Sequence, residues 1–307
     1  MTIAVDRPVT TRPEVSDRAR SERRLGLILS APAVIVMLLV TGYPLINALY
    51  LSLFSYRLTS PDDKRFVWFG NYVTALSDPL FWQDVFTTFL ITAVTVAVEV
   101  VLGFAFAMVM HKAIFGRRTV RTSILIPYGI VTVISAFAWK YAFDVQSGFV
   151  DQWFGLSDYA WFSGRWSSTF VIILSEVWKT TPFVSLLLLA GLAQVPNDLG
   201  EAATVDGATP WQRLWRVTIP NMKAAILVAV LFRTLDAWRI FDNPFIMTAG
   251  ANETETLSFL AYRQNVTLLN LGVGSSVSVL LFLTVVIIAV VFIKVLRTDL
   301  SQMRGDR

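Results

Sequence analysis

No Asp, Glu, Lys or Arg occurs from residue 25 to residue 56, and none from residue 268 to residue 293. A bilayer-crossing helix needs about 20 mostly apolar residues, so each stretch is long enough to span a membrane. Four more apolar stretches lie between them, at roughly 85–110, 120–143, 168–193 and 223–247. The second contains only Glu99; the third has Lys140 near its end, with Arg121 at its start; the fourth contains Glu176 and Lys179; the fifth starts at Lys223 and holds Arg233, Asp236, Arg239 and Asp242 inside. Only 16% of the residues are charged, against about 25% in soluble domains. The expectation is an all-α polytopic membrane protein with six transmembrane helices over residues 25–296. A basic tail precedes them at 1–24 and a short one follows at 297–307.

Several chemistries are excluded by composition. There is no cysteine, hence no disulfide, Cys–zinc site or thiol catalysis. His111 is the single histidine, which removes multi-histidine metal sites and disfavours a Ser-His-Asp hydrolase. No G-x-x-x-x-G-K-[ST] string occurs, so the chain has no P-loop for ATP. A membrane-embedded transferase would need clustered acids or histidines at the interface. Asp62, Asp63 and Asp78 are scattered instead. These residues offer no catalytic constellation, so the chain is not expected to be an enzyme.

The basic residues set an orientation. Short cytoplasmic loops are enriched in Lys and Arg. Seventeen of the 26 fall on one side: Arg7, Arg12, Arg18, Arg20, Arg23 and Arg24; Lys112, Arg117, Arg118 and Arg121; Arg213, Arg216 and Lys223; Lys294, Arg297, Arg304 and Arg307. Arg57, Lys64, Arg65, Arg165 and Arg263 fall on the other. Both termini are expected in the cytoplasm, and the charge of +4 reports topology, not nucleic acid. The amino end also has the arginine-then-apolar order of a signal peptide. Its apolar run is too long, and no small-x-small cleavage site follows, so it reads as a retained first span.

The two outer loops are rich in aromatics: Trp68, Phe69, Tyr72, Phe81 and Trp82 in one, Trp153, Phe154, Tyr159, Trp161, Phe162 and Trp166 in the other. Such residues favour the membrane–water boundary, and they could equally form a docking face for an outside partner or a sugar.

The inside loop 195–225, VPNDLGEAATVDGATPWQRLWRVTIPNMKAA, carries unusually complete start and stop signals. Asp198 can cap a helix, with Glu201 as its capping-box partner. Gly207 is placed to end that helix in a left-handed turn. Thr209, Pro210 and Gln212 can open a second helix, and Pro220 would start the next span. Ala202 and Ala203 keep the first helix narrow enough to enter a groove, and Glu201 and Asp206 offer carboxylates to a basic partner. An ordinary amphipathic loop helix would share these features.

Glu201-Ala202-Ala203, Asp206-Gly207-Ala208 and Val217-Thr218-Ile219-Pro220 together resemble the EAA motif of ABC importer permeases. Ile219 stands where the family has leucine, and Ala224 where many members have a second proline. Phe69-Gly70-Asn71-Tyr72 resembles the F-x-G-N-Y stretch of the sugar-type, maltose-permease-like branch. The stretches 126–143, 176–192 and 231–243 are similar to permeases of trehalose importers. The resemblance implies the type I importer permease fold and a coupling helix, over about 195–220, seated on an ATPase subunit. Glu201, Ala202, Ala203, Asp206, Gly207, Ala208 and Pro220 would be its residues. It further implies a second homologous permease, two ATPase subunits, an extracytoplasmic sugar-binding lipoprotein, membrane lipid around the spans and a bacterial inner-membrane location. ATP and magnesium would belong to the ATPases, with no cofactor in this chain. Trehalose or a similar disaccharide is the implied substrate, with maltose or glycerol phosphate as other choices. An ion-coupled secondary transporter using Glu99 or Asp236 is the competing class.

Charges within membrane spans are costly and should face a cavity or a partner. Arg233, Asp236, Arg239 and Asp242 recur every three residues with alternating sign, so neighbours can pair along the helix. They form either a neutralised packing ladder, with Glu176 or Lys179 as possible partners, or a polar wall of the translocation path. With Trp238, Asn243, Glu99 and Glu176 they supply the hydrogen-bonding and aromatic groups a sugar needs. Pro127, Pro182 and Pro244 are candidate bends. Gly272, Gly274, Ser275, Ser276 and Ser278 crowd one half of the last span, where small residues allow close helix packing or line a cavity.

Overall fold

The computed structural model describes residues 17–112, 116–156 and 159–305, with side chains from residue 24 to residue 294 except Arg117. The greater part of the expected basic tail, residues 1–16, lies outside the described residues, as do the side chains of Arg297, Arg304 and Arg307. The chain divides after Tyr50 into two compact units. The first is helical: α1 (Asp17–Met37), a wide turn at Leu38–Gly42, and α2 (Tyr43–Ser52). Together they include the apolar helix Arg24–Ser52, 29 residues long and sufficient for one crossing.

The second unit opens on a small antiparallel ribbon, β1 (Phe54–Ser55) with β2 (Arg65–Phe66), followed by α3 (Gly70–Ser77). Asn71 ties α3 down, its Nδ2 donating to the carbonyls of Ser52 and Phe54, both at 2.8 Å. Then comes α4 (Pro79–Lys112), 34 residues and about 51 Å at 1.5 Å per residue. Its buried stripe, Thr88, Ile91, Thr95, Glu99, Gly103, Ala107 and Met110, recurs every three or four residues, the spacing of one helix face. That stripe meets α8 (Arg165–Leu192). Gly103 makes the approach possible, since a Cβ there would sit 2.9 Å from Val184 Cγ1 and 3.2 Å from the Ser185 amide nitrogen.

Between these helices lie α5 (Arg117–Gly129), α6 (Thr132–Ala142) and the short α7 (Val150–Phe154). The third expected span is therefore broken: α5 and α6 meet at 89°. Pro127 and Gly129 both weaken helix continuation there. Pro182, by contrast, sits within an unbroken α8 and marks no boundary.

After α8 come α9 (Asn197–Val205), α10 (Pro210–Arg213), α11 (Ile219–Asn221), α12 (Lys223–Ala237), α13 (Asp242–Met247), α14 (Leu257–Tyr262) and α15 (Leu271–Gly305). The fifth expected span is also broken, between α12 and α13. Pro244 is the third residue of α13, where its missing N–H costs nothing. In a continuous helix that N–H would bond the carbonyl of Ile240. Here the Ile240 carbonyl instead accepts the Thr256 hydroxyl at 2.9 Å. The bend thus precedes the proline by several residues. Among the described residues, four helices are individually long and apolar enough to cross a membrane, five if α5 and α6 form one bent span. The broken α12–α13 segment accounts for the sixth expected stretch.

The small residues of α15 serve packing. A Cβ on Gly272 would lie 2.3 Å from the Phe54 carbonyl oxygen, and one on Gly274 would lie 2.3 Å from Asn265 Oδ1. Ser275 and Ser276 are buried. Of the aromatic loop residues, Trp68, Phe69, Trp82, Trp153, Phe154, Tyr159 and Trp166 are exposed. Phe81 is buried, and Trp161 and Phe162 pack on the core beside Val171 and Ile172.

Candidate functional site

The loop between α8 and α12 is built as two capped helices. α9 stops through paired bonds in which Ala208 N reaches Ala203 O (2.9 Å) and Gly207 N reaches Thr204 O (3.1 Å). Gly207 takes φ +79°, the left-handed value this turn requires. α10 starts with a complete capping box: Gln212 N donates to Thr209 Oγ1 (3.3 Å), and Thr209 N donates to Gln212 Oε1 (2.8 Å). Arg213 Nη1 then donates to Thr204 Oγ1 at 2.6 Å, fastening α10 to α9. Glu201, Ala202, Asp206 and Gly207 are exposed, and Ala203 and Ala208 half-buried. Val205 projects with 88% of its surface free.

Two expectations about this loop require correction. Asp198 does not cap α9. Pro196 occupies the cap position with no side-chain bond, and Asp198 lies in the first turn, where its charge favours the positive helix end. Pro220 does not start the next span. It sits within α11, which continues a wide turn at Leu214–Thr218, and α12 begins only at Lys223, after Met222. His111, at the end of α4, lines a cavity of about 460 Å³ against Pro196, Trp211 and Leu214.

The second feature is a buried ionic cluster joining α4, α8 and α12. Arg233, 2% exposed, places Nε and Nη2 on the carboxylate of Glu99, the latter at 3.0 Å. Nη2 also reaches Glu176 Oε2 at 3.2 Å, and Nη1 reaches Asp236 Oδ2 at 2.7 Å. Asn243 Nδ2 donates to Glu176 Oε1 at 3.1 Å, bringing α13 into the cluster. Thr180 Oγ1 lies 2.6 Å from Glu99 Oε1. One guanidinium therefore serves three carboxylates, the fork geometry that arginine offers and lysine does not.

The cluster forms one wall of a cavity of about 300 Å³. Its charged lining is balanced, with Glu176, Asp236 and Asp242 against Lys179, Arg233 and Arg239. Tyr128 and Thr132, either side of the α5–α6 bend, line it too, as does Phe241 at the α12–α13 break. Both helix breaks thus open onto this cavity. Sequence reasoning missed Tyr128, Thr132 and Thr180 as members, and it had Lys179 only as a packing partner of the charge row. The Pro127-Tyr128-Gly129 string was the available signal.

The expected charge row behaves differently from its spacing. Only Arg233 and Asp236 pair along the helix. The helix ends at Ala237, so Arg239 and Asp242 leave the row; Arg239 Nε bonds the Leu235 carbonyl at 3.1 Å. Trp238 is no part of the polar cavity. Its Nε1 donates to Thr284 Oγ1 at 2.8 Å on α15, and it lines a separate apolar groove of about 690 Å³ between α4, α12 and α15.

Residues 99–301, from the ionic cluster through the capped loop to α15, match the family model of the binding-protein-dependent transport system inner membrane component. The chain belongs to this family. As such an inner-membrane permease component, it is 49% identical over 274 residues to the trehalose transport system permease protein SugA of Mycobacterium tuberculosis, covering 89% of each chain. It is 36% identical over 280 residues to the trehalose/maltose transport system permease protein MalF of Thermococcus litoralis, covering 89% of this chain and 94% of that one. In fold it resembles a chain of a bacterial alginate ABC transporter solved with its pentasaccharide-bound periplasmic protein. The TM-score is 0.78 at 20% identity, over 91% of this chain and 96% of the other. The all-α permease fold and the multi-pass membrane character expected from sequence both hold.

Proposed function

We propose that this permease is half of the translocation path of an ATP-driven importer for trehalose or a similar disaccharide. Its partners would be a second, homologous permease, two ATPase subunits carrying ATP and magnesium, and an extracytoplasmic sugar-binding lipoprotein. The observation that carries the reading is the capped loop of α9 and α10. It presents exposed Glu201 and Ala202, with Ala203 half-buried, on a chain with no P-loop of its own. That face is the coupling element, on the cytoplasmic side with both termini. ATP-driven closure of the ATPases would push it and tilt the helices attached to it.

The substrate path is assigned to the 300 Å³ cavity. Its balanced charges and the rings of Tyr128 and Phe241 suit a neutral polyhydroxyl solute, which needs hydrogen bonds and aromatic faces without net charge. An ion-coupled carrier built on Glu99 is the weaker reading, because Arg233 and Thr180 already occupy its carboxylate.

The test is labelled-trehalose uptake in cells relying on this permease, with the wild type compared to Glu201→Arg. Uptake should vanish in the variant while membrane insertion stays normal. Mild-detergent capture of the wild type should recover a second permease and an ATPase, and the variant should lose the ATPase. Unchanged uptake in Glu201→Arg would remove the coupling assignment. Maltose and glycerol phosphate, added as competitors, test the choice of sugar.

A further inference from the structure

The cavity of about 460 Å³ beside His111 lies between the end of α4, the end of α8 and the α9–α10 loop, apart from the ionic cluster. Its volume falls in the range of small-molecule sites, about 300–1,000 Å³. Two kinds of surface line it. Met108 of α4, Leu192 of α8, and Leu214 and Val217 of the wide turn after α10 supply an apolar part. His111 and Lys112, the last two residues of α4, and Arg213, the last of α10, supply a basic part.

The basic part is not neutralised from within. No Asp or Glu is among the described residues that line the cavity. Arg213 donates through Nη1 to the uncharged Thr204 hydroxyl at 2.6 Å, and its buried Nε has no hydrogen-bond partner among the described residues. The guanidinium is thus held in place and keeps its charge. His111 and Lys112 are exposed.

A basic site joined to an apolar one selects an amphiphilic anion. A free phosphate would use the basic residues and leave Met108, Leu192, Leu214 and Val217 against water. A phospholipid uses both parts, its phosphodiester on the cations and its glycerol and first acyl carbons on the apolar side chains. The position agrees. α4 is long and apolar enough to cross a membrane, and Lys112 is its last residue, so the cavity lies where a span reaches the headgroups. Trp211 lines it and packs edge-on against Trp215, with ring centroids 5.6 Å apart and both indoles exposed. Tryptophan beside a span end favours the headgroup level. Basic pockets between membrane helices on the cytoplasmic side, which faces the anionic leaflet, suit anionic headgroups.

We propose that this cavity binds the headgroup of an anionic phospholipid of the phosphatidylglycerol class, with His111, Lys112 and Arg213 donating to its phosphate. The choice of leaflet rests on the cytoplasmic side assigned above to the α9–α10 loop. The lipid ties the end of α4 to that loop. Glu201 and Ala202 do not line the cavity, so the lipid leaves them free for the ATPase.

The test is native mass spectrometry of the complex purified with its native partners from bilayers of phosphatidylglycerol and phosphatidylcholine in equal amounts. The wild type should retain phosphatidylglycerol over phosphatidylcholine, and inorganic phosphate should not displace it. Lys112→Gln leaves Arg117, Arg118 and Arg121 to hold the topology of that loop. It should weaken retention about fivefold, the worth of one basic residue near an anionic surface, and Lys112→Gln with Arg213→Gln about 25-fold. Equal wild-type retention of the two lipids overturns the proposal, as does undiminished retention by Lys112→Gln. Displacement by inorganic phosphate overturns it in favour of a free anion. A wild-type complex that keeps neither lipid shows the cavity closed by the ATPase and overturns it too. Should the double variant fail to assemble, Lys112→Gln and the wild-type comparison decide. Neither sugar nor ATP enters the assay, so its failure is separate from any failure of the importer reading.

Discussion

Arg233 and Glu99 are 134 positions apart, yet the guanidinium grips the carboxylate with both Nε and Nη2, in a place where neither residue is more than 2% exposed. The contact joins α12 to α4, and Glu176 extends it to α8. α8 and α12, which line the polar cavity, are therefore pinned to each other and to α4 behind them. Asp236, the fourth member, is exposed to the cavity, so the rim of the ion cluster is open to it.

Removing one partner of a buried ion pair costs about 3–5 kcal/mol, because the other charge stays behind unpaired. Arg233→Ala leaves Glu99 and Glu176 facing each other without a cation. It should lower the unfolding midpoint sharply and reduce the amount of protein in the membrane. Glu99→Gln combined with Arg233→Met should be milder than Arg233→Ala alone, since it removes both buried charges of the closest pair. A thermal-shift series over the three proteins checks the order. Arg233→Ala as stable as wild type would show that the cluster is not what holds the helices.

Gly207 and Thr209 predict a graded effect on the capped loop of α9 and α10. At φ +79° alanine is strained, and Gly207→Val more so. Thr209→Ala loses one cap, worth about 1 kcal/mol. Neither change lies in a span, so insertion and level should hold. Uptake should fall, with Gly207→Val more affected than Thr209→Ala. ATPase activity no longer stimulated by the loaded binding protein is the accompanying measurement.

Much of this architecture was legible in the residues, for physical reasons specific to each. Charge-free runs announce membrane helices because desolvating a charge is prohibitive. Gly207, Thr209 and Gln212 announce caps because few residues serve those positions. The 89° bend was only half legible. Pro127 and Pro182 look alike in sequence, and tertiary packing decides that one span breaks and the other does not. The charge row failed because an i,i+3 reading presumes a continuous helix, and α12 ends at Ala237. Trp238 went astray for a different reason: with Val230 and Thr234 it continues one face of α12, which meets Thr284 and not the cavity. No local signal joined Arg233 to Glu99, since their meeting depends on how α4 packs.

The close approach of α4 to α8 depends on Gly103. A Cβ at 2.9 Å from Val184 Cγ1 must push a neighbour, and the backbone nitrogen of Ser185 at 3.2 Å cannot rotate away. Overpacking of this kind costs about 1–3 kcal/mol. Gly103→Ala should therefore be destabilised, and Gly103→Leu should fail to accumulate. Adding Val184→Ala should recover part of the loss in Gly103→Ala. Membrane level and unfolding midpoint of the three variants check it, and a fully stable Gly103→Leu would contradict the packing.

The cavity predicts how transport should split between binding and turnover. Tyr128 stacks on Phe183, with centroids 5.5 Å apart, and presents its ring at the α5–α6 bend. Tyr128→Ala removes an aromatic face and leaves the Arg233–Glu99 grip untouched. Uptake should show a raised half-saturation concentration, or a reduced maximal rate where the binding protein sets the apparent affinity, with the complex intact on detergent capture. Asp236→Asn keeps the shape but withdraws one carboxylate from Arg233. Because Asp236 is exposed and Glu99 and Glu176 remain, stability should change by under about 1 kcal/mol, as for an exposed pair, while transport is impaired. Normal uptake kinetics in both variants, each at wild-type level in the membrane, would place the sugar elsewhere in the bundle and leave the cavity with a structural role alone.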